Sequence, residues 1–394
     1  MRYNFDKVID RNNTNSSKWD TTEEGVLPMW VADMDFKAPT EIIDSILIRG
    51  IHGVFGYTMI PEKFYDAEIF WWEKRHNFSI KKEWILPTVG VIPSLSATVQ
   101  AFCQEGDKVL IQSPVYNYFN TSIINNKCEV VTNDLIYKNN KYTIDFIDFE
   151  EKLKDEKLKL FILCNPHNPV GRVWTKDELT KMAELCIKHN VIILSDEIHR
   201  DLVYSDSKYT PIASISEEIL QNSITCTAPS KTFNLAGLKT SNIIVANEEF
   251  RKKIDRSLNI NESIEPNVFG IEALISAYTY GDEWLDQLLI YLEKNRDLAI
   301  DYIKKYIPEL VVIKPEATYL LWIDCSKLNI QSEQLVKKIK ELGKLRIASG
   351  ITYGKSGENF IRINIACPLK TLEDGLNRLQ NSINQIKKEE KYLF

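Results

Sequence analysis

The chain has 394 residues, 44% hydrophobic and 26% charged, a length that sets a prior of two or three domains and a composition that permits a sizeable buried core. Its formal charge of -6 is modest and spread along the sequence, which leaves no electrostatic case for nucleic acid or an anionic membrane surface as a partner. The seven cysteines are scattered, without a CxxC pair or a histidine cluster; they read as buried free thiols and exclude a metal centre of ordinary ligand spacing.

The opening Met1-Arg2-Tyr3-Asn4-Phe5-Asp6 has no apolar core of a signal peptide, and no apolar run is long enough to span a bilayer, so a cytoplasmic protein is expected. Residues 1 to about 28 are polar, with Asn12-Asn13-Thr14-Asn15-Ser16-Ser17 as a segment of low propensity, and predict an irregular arm. Trp30-Val31-Ala32-Asp33-Met34-Asp35-Phe36 combines aromatics with two acids in a pattern neither helix nor strand explains. It reads equally as a connector packed by Trp30 or as part of a site. Thr40 to Ile48 and Lys63 to Asn77 have helical patterns, and Gly53-Val54-Phe55-Gly56-Tyr57-Thr58 between them has the glycines of a bend in which Tyr57 packs.

Trp84-Ile85-Leu86-Pro87-Thr88-Val89 is an apolar strand that breaks at Gly90 before a helix starting near Ser94. Main-chain N–H groups at such a start suit a phosphate, and a glycine permits close approach; Gly90, Val91 and Ile92 are the candidates, against an ordinary strand-to-helix turn. Asp107 to Gln112 predicts another strand, ended by Ser113-Pro114-Val115-Tyr116-Asn117-Tyr118-Phe119. Strand-like runs follow at Cys128 to Thr132, Leu158 to Cys164, Val191 to Ser195, Ser223 to Cys226 and Asn242 to Ala246, with a helical pattern from Lys176 to His189. That alternation predicts an α/β unit with a mostly parallel sheet covered by helices.

From about Asp282 a long helical pattern leads into a second unit. Strand-like runs at Leu310 to Ile313, Tyr319 to Ile323, Leu345 to Ala348 and Asn359 to Ile365, with helices from Gln334 to Leu342 and after Lys370, predict a smaller α+β domain. The expected division is 40–281 for the large domain, and 1–39 with 282–394 for the small one. Arg362 lies within an apolar strand, where a guanidinium is costly without an anionic partner. That partner is either a structural carboxylate or the carboxylate of a substrate.

Three polar residues follow apolar strands: Asn168 in Asn165-Pro166-His167-Asn168-Pro169-Val170-Gly171, Asp196 in Asp196-Glu197, and Lys231 in Thr227-Ala228-Pro229-Ser230-Lys231-Thr232-Phe233-Asn234. Ligands of open α/β sheets bind outside the carboxyl ends of the strands, so the three converge on one molecule. An aspartate for a pyridinium nitrogen, an asparagine for a ring hydroxyl and a lysine for an aldehyde together describe a site for pyridoxal 5'-phosphate. Burial would lower the lysine pKa and leave the amine partly neutral.

In order and spacing these motifs resemble the fold-type I pyridoxal-phosphate enzymes, the class I/II aminotransferase superfamily, over nearly the whole chain. Trp30 to Phe36, Ala228 to Asn234 and Phe360-Ile361-Arg362-Ile363-Asn364-Ile365-Ala366-Cys367-Pro368 look like its MalY/PatB branch of carbon-sulfur β-lyases, which includes cystalysin. The resemblance implies that Tyr116 lies over the pyridine ring and that Ser230 and Lys239 meet the phosphate. It implies that Tyr57 reaches the cofactor phosphate of a neighbouring subunit in a homodimer with shared active sites. It places Asp33 near the substrate and gives Arg362 the substrate α-carboxylate.

The sequence also departs from the superfamily. His199 stands where many aminotransferases have tyrosine, Lys239 replaces a common arginine, Ala228 a common serine and Asn117 a second tyrosine. His199 either supports Asp196 and the ring or is a structural residue. The activity implied is β-elimination from L-cystathionine or a related cysteine S-conjugate, giving a thiol, pyruvate and ammonia. An aminotransferase, and a regulator that binds another protein on the same fold, are the alternatives.

Overall fold

In the computed structural model, which describes residues 3–260 and 265–391, the predicted apolar runs become strands of two separate sheets. In chain order the strands are β1 (Leu27–Pro28), β2 (Ile85–Thr88), β3 (Lys108–Ser113), β4 (Glu129–Asp134), β5 (Ile136–Lys138), β6 (Lys141–Thr143), β7 (Leu158–Cys164), β8 (Ile192–Asp196), β9 (Ser223–Thr227), β10 (Ser241–Ile244), β11 (Val311–Ile313), β12 (Leu320–Asp324), β13 (Leu345–Arg346), β14 (Ala348–Ser349) and β15 (Phe360–Asn364). Seven of them form the large sheet in the order β2-β10-β9-β8-β7-β3-β4. Its neighbours pair in parallel from β9 to β4, and β10 is antiparallel to both β2 and β9.

Strand β7 shows why the sheet is buried on both faces. From Leu160 on its side chains alternate: Phe161 and Leu163 enter one apolar cluster, and Leu160, Ile162 and Cys164 enter another, while Leu158, before a shift in the register with β3, joins the first. Each fully buried aliphatic or aromatic side chain contributes roughly 1.5–3 kcal/mol, so the alternation fixes the register firmly. Helix α3 (Val91–Phe102) shares the cluster of Leu160 and Ile162, and the helix Lys176–Lys188 shares that of Phe161 and Leu163, so both faces are covered; α1 (Thr40–His52) and α2 (Glu62–His76) precede β2 in the chain. The helix Lys176–Lys188 starts with a capping box between Thr175 and Glu178, which satisfies two otherwise unpaired amides.

The second sheet has four strands in the order β11-β12-β15-β14. In β15, Ile361 and Ile363 enter the core while Arg362 and Asn364 point to the opposite face, as a period of two requires. The long helix Asp282–Tyr306 links the two sheets in sequence, and Leu369–Lys391 closes the described chain.

Several boundaries differ from the sequence reading. The helix after Gly90 starts at Val91 and not near Ser94, because proline is tolerated within a first turn whose N–H groups lack helical partners anyway. The predicted strand Leu345 to Ala348 is two strands: β13 pairs in parallel with β1, and β14 pairs with β15. The N-terminal arm is therefore not irregular throughout. The hairpin of β5 and β6 and the helices Glu248–Ile260 and Val268–Tyr280 have no counterpart in the sequence reading. The hairpin is short and polar, and Val268–Tyr280 is apolar around most of its circumference, which blurs the helical period.

Candidate active site

Because β2, β3, β7, β8 and β9 point the same way, the segments after them meet at one edge of the sheet. The register is direct at its centre: Cys164, Asp196 and Cys226 are neighbouring Cα partners across β7, β8 and β9. Asp196 ends β8 there. Asn168 and Lys231 lie four and five residues beyond Cys164 and Cys226.

Lys231 Nζ donates to the Ala32 carbonyl at 2.7 Å, so the Trp30–Phe36 segment touches the lysine through its backbone. Burial pushes the Lys231 amine down to about 8, aided by the Arg362 guanidinium and opposed by Asp33 and Asp196. Burial pushes Asp196 up to about 7, against an Ile198 N–H and the Lys231 charge. Its Oδ1 accepts from Ile198 N at 3.1 Å. A buried carboxylate with so little positive compensation is built to receive a cation.

The guanidinium of Arg362 is buried. Its Nη1 donates to Asn168 Oδ1 at 3.0 Å and its Nη2 to the Trp30 carbonyl at 2.9 Å. It lies 4.7 Å from the ring centre of Tyr353. Among the described residues no carboxylate pairs with Arg362, and its Nε has no partner. Of the two readings the sequence left open, the structural ion pair is therefore the one that is missing.

His199 is buried, with Nδ1 unpartnered. Burial, with the nearby charges of Lys231 and Arg362, pushes its pKa down to about 3, so the imidazole is neutral. Tyr116 is partly buried and tilted against Tyr118 at 5.4 Å. Burial and the Asp196 carboxylate both raise its hydroxyl pKa, which puts it in the same electrostatic neighbourhood. Lys231, Asp196, Arg362, Asn168, His199 and Tyr116 are thus brought together.

At the start of α3, Gly90 adopts φ 156°, which other residues rarely reach, and no side chain caps the helix. The first-turn amides of Gly90, Val91 and Ile92 therefore face outward from a helix N-terminus, an arrangement that favours an anion. Ser230 is partly buried, and Lys239 is exposed in a left-handed conformation at φ 52°; neither side chain is bonded to the group around Lys231. Tyr57 is fully exposed in this single chain. Asp33 is held by Arg11 through two hydrogen bonds of 3.0 and 2.9 Å. Its carboxylate bonds to Arg11, while the carbonyls of Trp30 and Ala32 make the segment's direct contacts to Arg362 and Lys231.

Two asparagines escaped the sequence reading. Asn234 accepts from Met34 N at 3.0 Å and donates to Met34 O at 2.9 Å, and Asn364 donates to the Val31 and Asp33 carbonyls, both at 2.7 Å. Together they pin the Trp30–Phe36 backbone against the lysine. Asn364 was legible in principle, since it shares a strand face with Arg362 two residues away.

The polar atoms fit pyridoxal 5'-phosphate: an under-compensated buried carboxylate, an amine of depressed pKa, unpartnered His199 Nδ1, and an uncapped helix start opened by glycine. The fold and this constellation define a fold-type I pyridoxal-phosphate enzyme. The profile of the family described as aminotransferase class I and II matches residues 37–379. The chain is 44% identical to cystathionine beta-lyase PatB of Bacillus subtilis (strain 168), with 97% of this chain and 100% of that protein covered. It is 33% identical to protein MalY of Escherichia coli (strain K12), covering 98% and 100%. Among solved structures, cystalysin from Treponema denticola, which contains a pyridoxal 5'-phosphate cofactor, superposes with a TM-score of 0.95 at 35% identity, covering 98% of this chain and 100% of that one. The chain belongs to the class I and II aminotransferase family, in its MalY/PatB branch, and its cofactor is pyridoxal 5'-phosphate.

Proposed function

We propose that this protein is a carbon-sulfur β-lyase that cleaves L-cystathionine or a related cysteine S-conjugate to a thiol, pyruvate and ammonia. The observation that carries the reading is the pairing of a partly neutral lysine with a buried arginine that has no carboxylate of its own, in a chain whose relatives are named as cystathionine β-lyases. Bound pyridoxal phosphate supplies an electron sink. The protein does the rest by holding groups and moving protons.

In this reading the Arg362 guanidinium binds the substrate α-carboxylate, and Asn168 orients both Arg362 and the ring hydroxyl. Lys231 Nζ takes the Cα proton, which a lysine near its pKa does well at neutral pH. Asp196 would hold the cofactor's ring nitrogen in its protonated form, and Tyr116 and His199 would help to bind the ring. Gly90, Val91 and Ile92, with Ser230 and Lys239, would hold the phosphate, and Asp33 tunes the Lys231 amine through its field. The Cβ–S bond then breaks with its electron pair going to the thiolate, and hydrolysis of the remaining enamine yields pyruvate and ammonia.

The same reading divides the chain into a large domain, 40–281, and a small one, 1–39 with 282–394, and places the protein in the cytoplasm as a homodimer with shared sites. No described helix is long and apolar enough to cross a membrane. The dimer is supported by the exposed apolar run of Leu47, Ile48, Ile51, Val54, Phe55, Tyr57 and Met59, a patch of the kind that marks an interface.

Wild-type holoenzyme given L-cystathionine should release pyruvate and thiol with no keto acid added, and Lys231→Ala should lose both this turnover and the absorbance that comes from the lysine–cofactor linkage. Turnover that depends strictly on a keto-acid acceptor would replace the lyase with an aminotransferase.

A further inference from the structure

The loop carrying Lys231 is fastened at both ends to buried carboxylates that no step above uses. Thr227 Oγ1, at the end of β9, donates to Glu68 Oε1 at 3.4 Å. Thr232 Oγ1, next to Lys231, donates to Asp201 Oδ2 at 2.7 Å. Both threonines and both acids are buried. A single buried guanidinium spans the two acids: Arg200 Nη2 lies 3.6 Å from Glu68 Oε1, and Arg200 Nε lies 4.0 Å from Asp201 Oδ1.

The acids are themselves held by donors on α2 and β10. Trp71 Nε1 and His76 Nε2 donate to Asp201 Oδ1 at 3.0 and 2.8 Å. Trp72 Nε1 donates to Glu68 Oε1 at 2.9 Å, and Asn242 Nδ2 to Glu68 Oε2 at 2.6 Å. Thr232 is the sole hydrogen-bond donor to Asp201 Oδ2 among the described residues.

Buried ion clusters add little net stability, because desolvation offsets most of the attraction. They do fix direction, since hydrogen bonds to a buried charge are strong and geometrically demanding. Lys231 needs that direction: among the described residues the amine otherwise hydrogen-bonds only to the Ala32 carbonyl, and an error of a fraction of an ångström at a reacting atom is costly. We propose that the Glu68–Arg200–Asp201 cluster is a positioning device for Lys231, with Asp201 acting through Thr232 as its tighter anchor. The proposal rests on Lys231 being the cofactor lysine.

The test uses holoenzyme variants Thr232→Val and Thr232→Ser beside Lys231→Ala and a stability control, Leu179→Ala, which empties core space in the helix Lys176–Lys188. Thermal unfolding, kcat, KM and the pH midpoint of the cofactor's visible absorbance are recorded for each. Thr232→Val should lower kcat about tenfold, the scale of one lost hydrogen bond to a charge, and should shift the absorbance midpoint. Thr232→Ser should restore both to within about twofold of wild type, and Leu179→Ala should lose stability with kcat and midpoint unchanged. If Thr232→Val behaves like Leu179→Ala, the proposal is overturned. If Thr232→Val does not fold, Thr227→Val, whose bond is the longer, decides the matter: a lowered kcat together with a moved absorbance midpoint supports the proposal, and wild-type values of both overturn it. Lys231→Ala that still becomes covalently labelled by its cofactor on borohydride reduction would instead overturn the reading of the cofactor site.

Discussion

At the scale of single residues the site is a set of charges whose compensation is incomplete within the protein. Asp196 is the clearest case. In the apoprotein its pKa of about 7 stands above the ordinary 3.8, so between these values the folded chain keeps a proton that the unfolded chain has released. The stability this contributes is full below about 3.8 and is lost as pH rises through about 7. Asp196→Asn removes the titration, so urea unfolding of the two apoproteins at pH values of about 4 and 7.5 should show a steeper fall for the wild type. The difference should reach at most about 4 kcal/mol. Parallel curves would mean that Asp196 is better solvated than its burial suggests. Asp196, Asn168 and Lys231 could be found from sequence because strand ends are recognisable in an α/β pattern. Asn234 and Ala32 could not, since each acts across about 200 residues, the Asn234 side chain on the Met34 backbone and Ala32 through its own carbonyl, and every residue type carries those backbone groups.

At the scale of elements, the turn after β7 does two tasks. It presents Asn168 to Arg362, and through Gly171 it supports the connection between β11 and β12: the Gly171 carbonyl accepts from Glu316 N at 2.7 Å and Ala317 N at 3.1 Å. Gly171 sits at φ 75°, and a Cβ there would come within 2.7 Å of Pro315 Cβ and 2.9 Å of Pro315 Cα. Gly171→Ala should therefore cost about 2–4 kcal/mol, from left-handed backbone strain and overpacking together, read as a lower Tm. It should also raise KM for the amino-acid substrate, because the Asn168–Arg362 contact spans the same junction.

The strand pattern of the large sheet was legible because β7 and β8 are mostly apolar runs and β9, Ser223–Thr227, alternates hydroxyl and apolar residues, a strand-like pattern. The break at Ile347 was not, because pairing with β1 is decided by a distant segment and leaves no mark on the local alternation. The boundary of α3 was missed for a local reason: Pro93 reads as a turn, yet it is tolerated in a first helical turn, so three residues of helix precede Ser94.

At the scale of the whole molecule, one chain accounts for the lysine, the aspartate and the arginine but leaves Tyr57 in solvent beside Ile51, Val54, Phe55 and Met59. So much contiguous exposed apolar surface on α1 and the segment after it costs solubility unless a second copy covers it. If that copy also lends Tyr57 to the cofactor phosphate, defects in Tyr57 and Lys231 lie in different subunits of one site. A hybrid of a Lys231→Ala subunit with a Tyr57→Ala subunit would then hold one site carrying both defects and one carrying neither. Mixing the two weakly active or inactive homodimers under conditions that allow subunit exchange should therefore restore about a quarter of wild-type activity, since about half the dimers are hybrids and each has one native site. The rise should appear with the kinetics of exchange and not at once. Were Tyr57 to serve the site of its own subunit, each site of a hybrid would carry one defect, and mixing would leave the activity at the mean of the two variants.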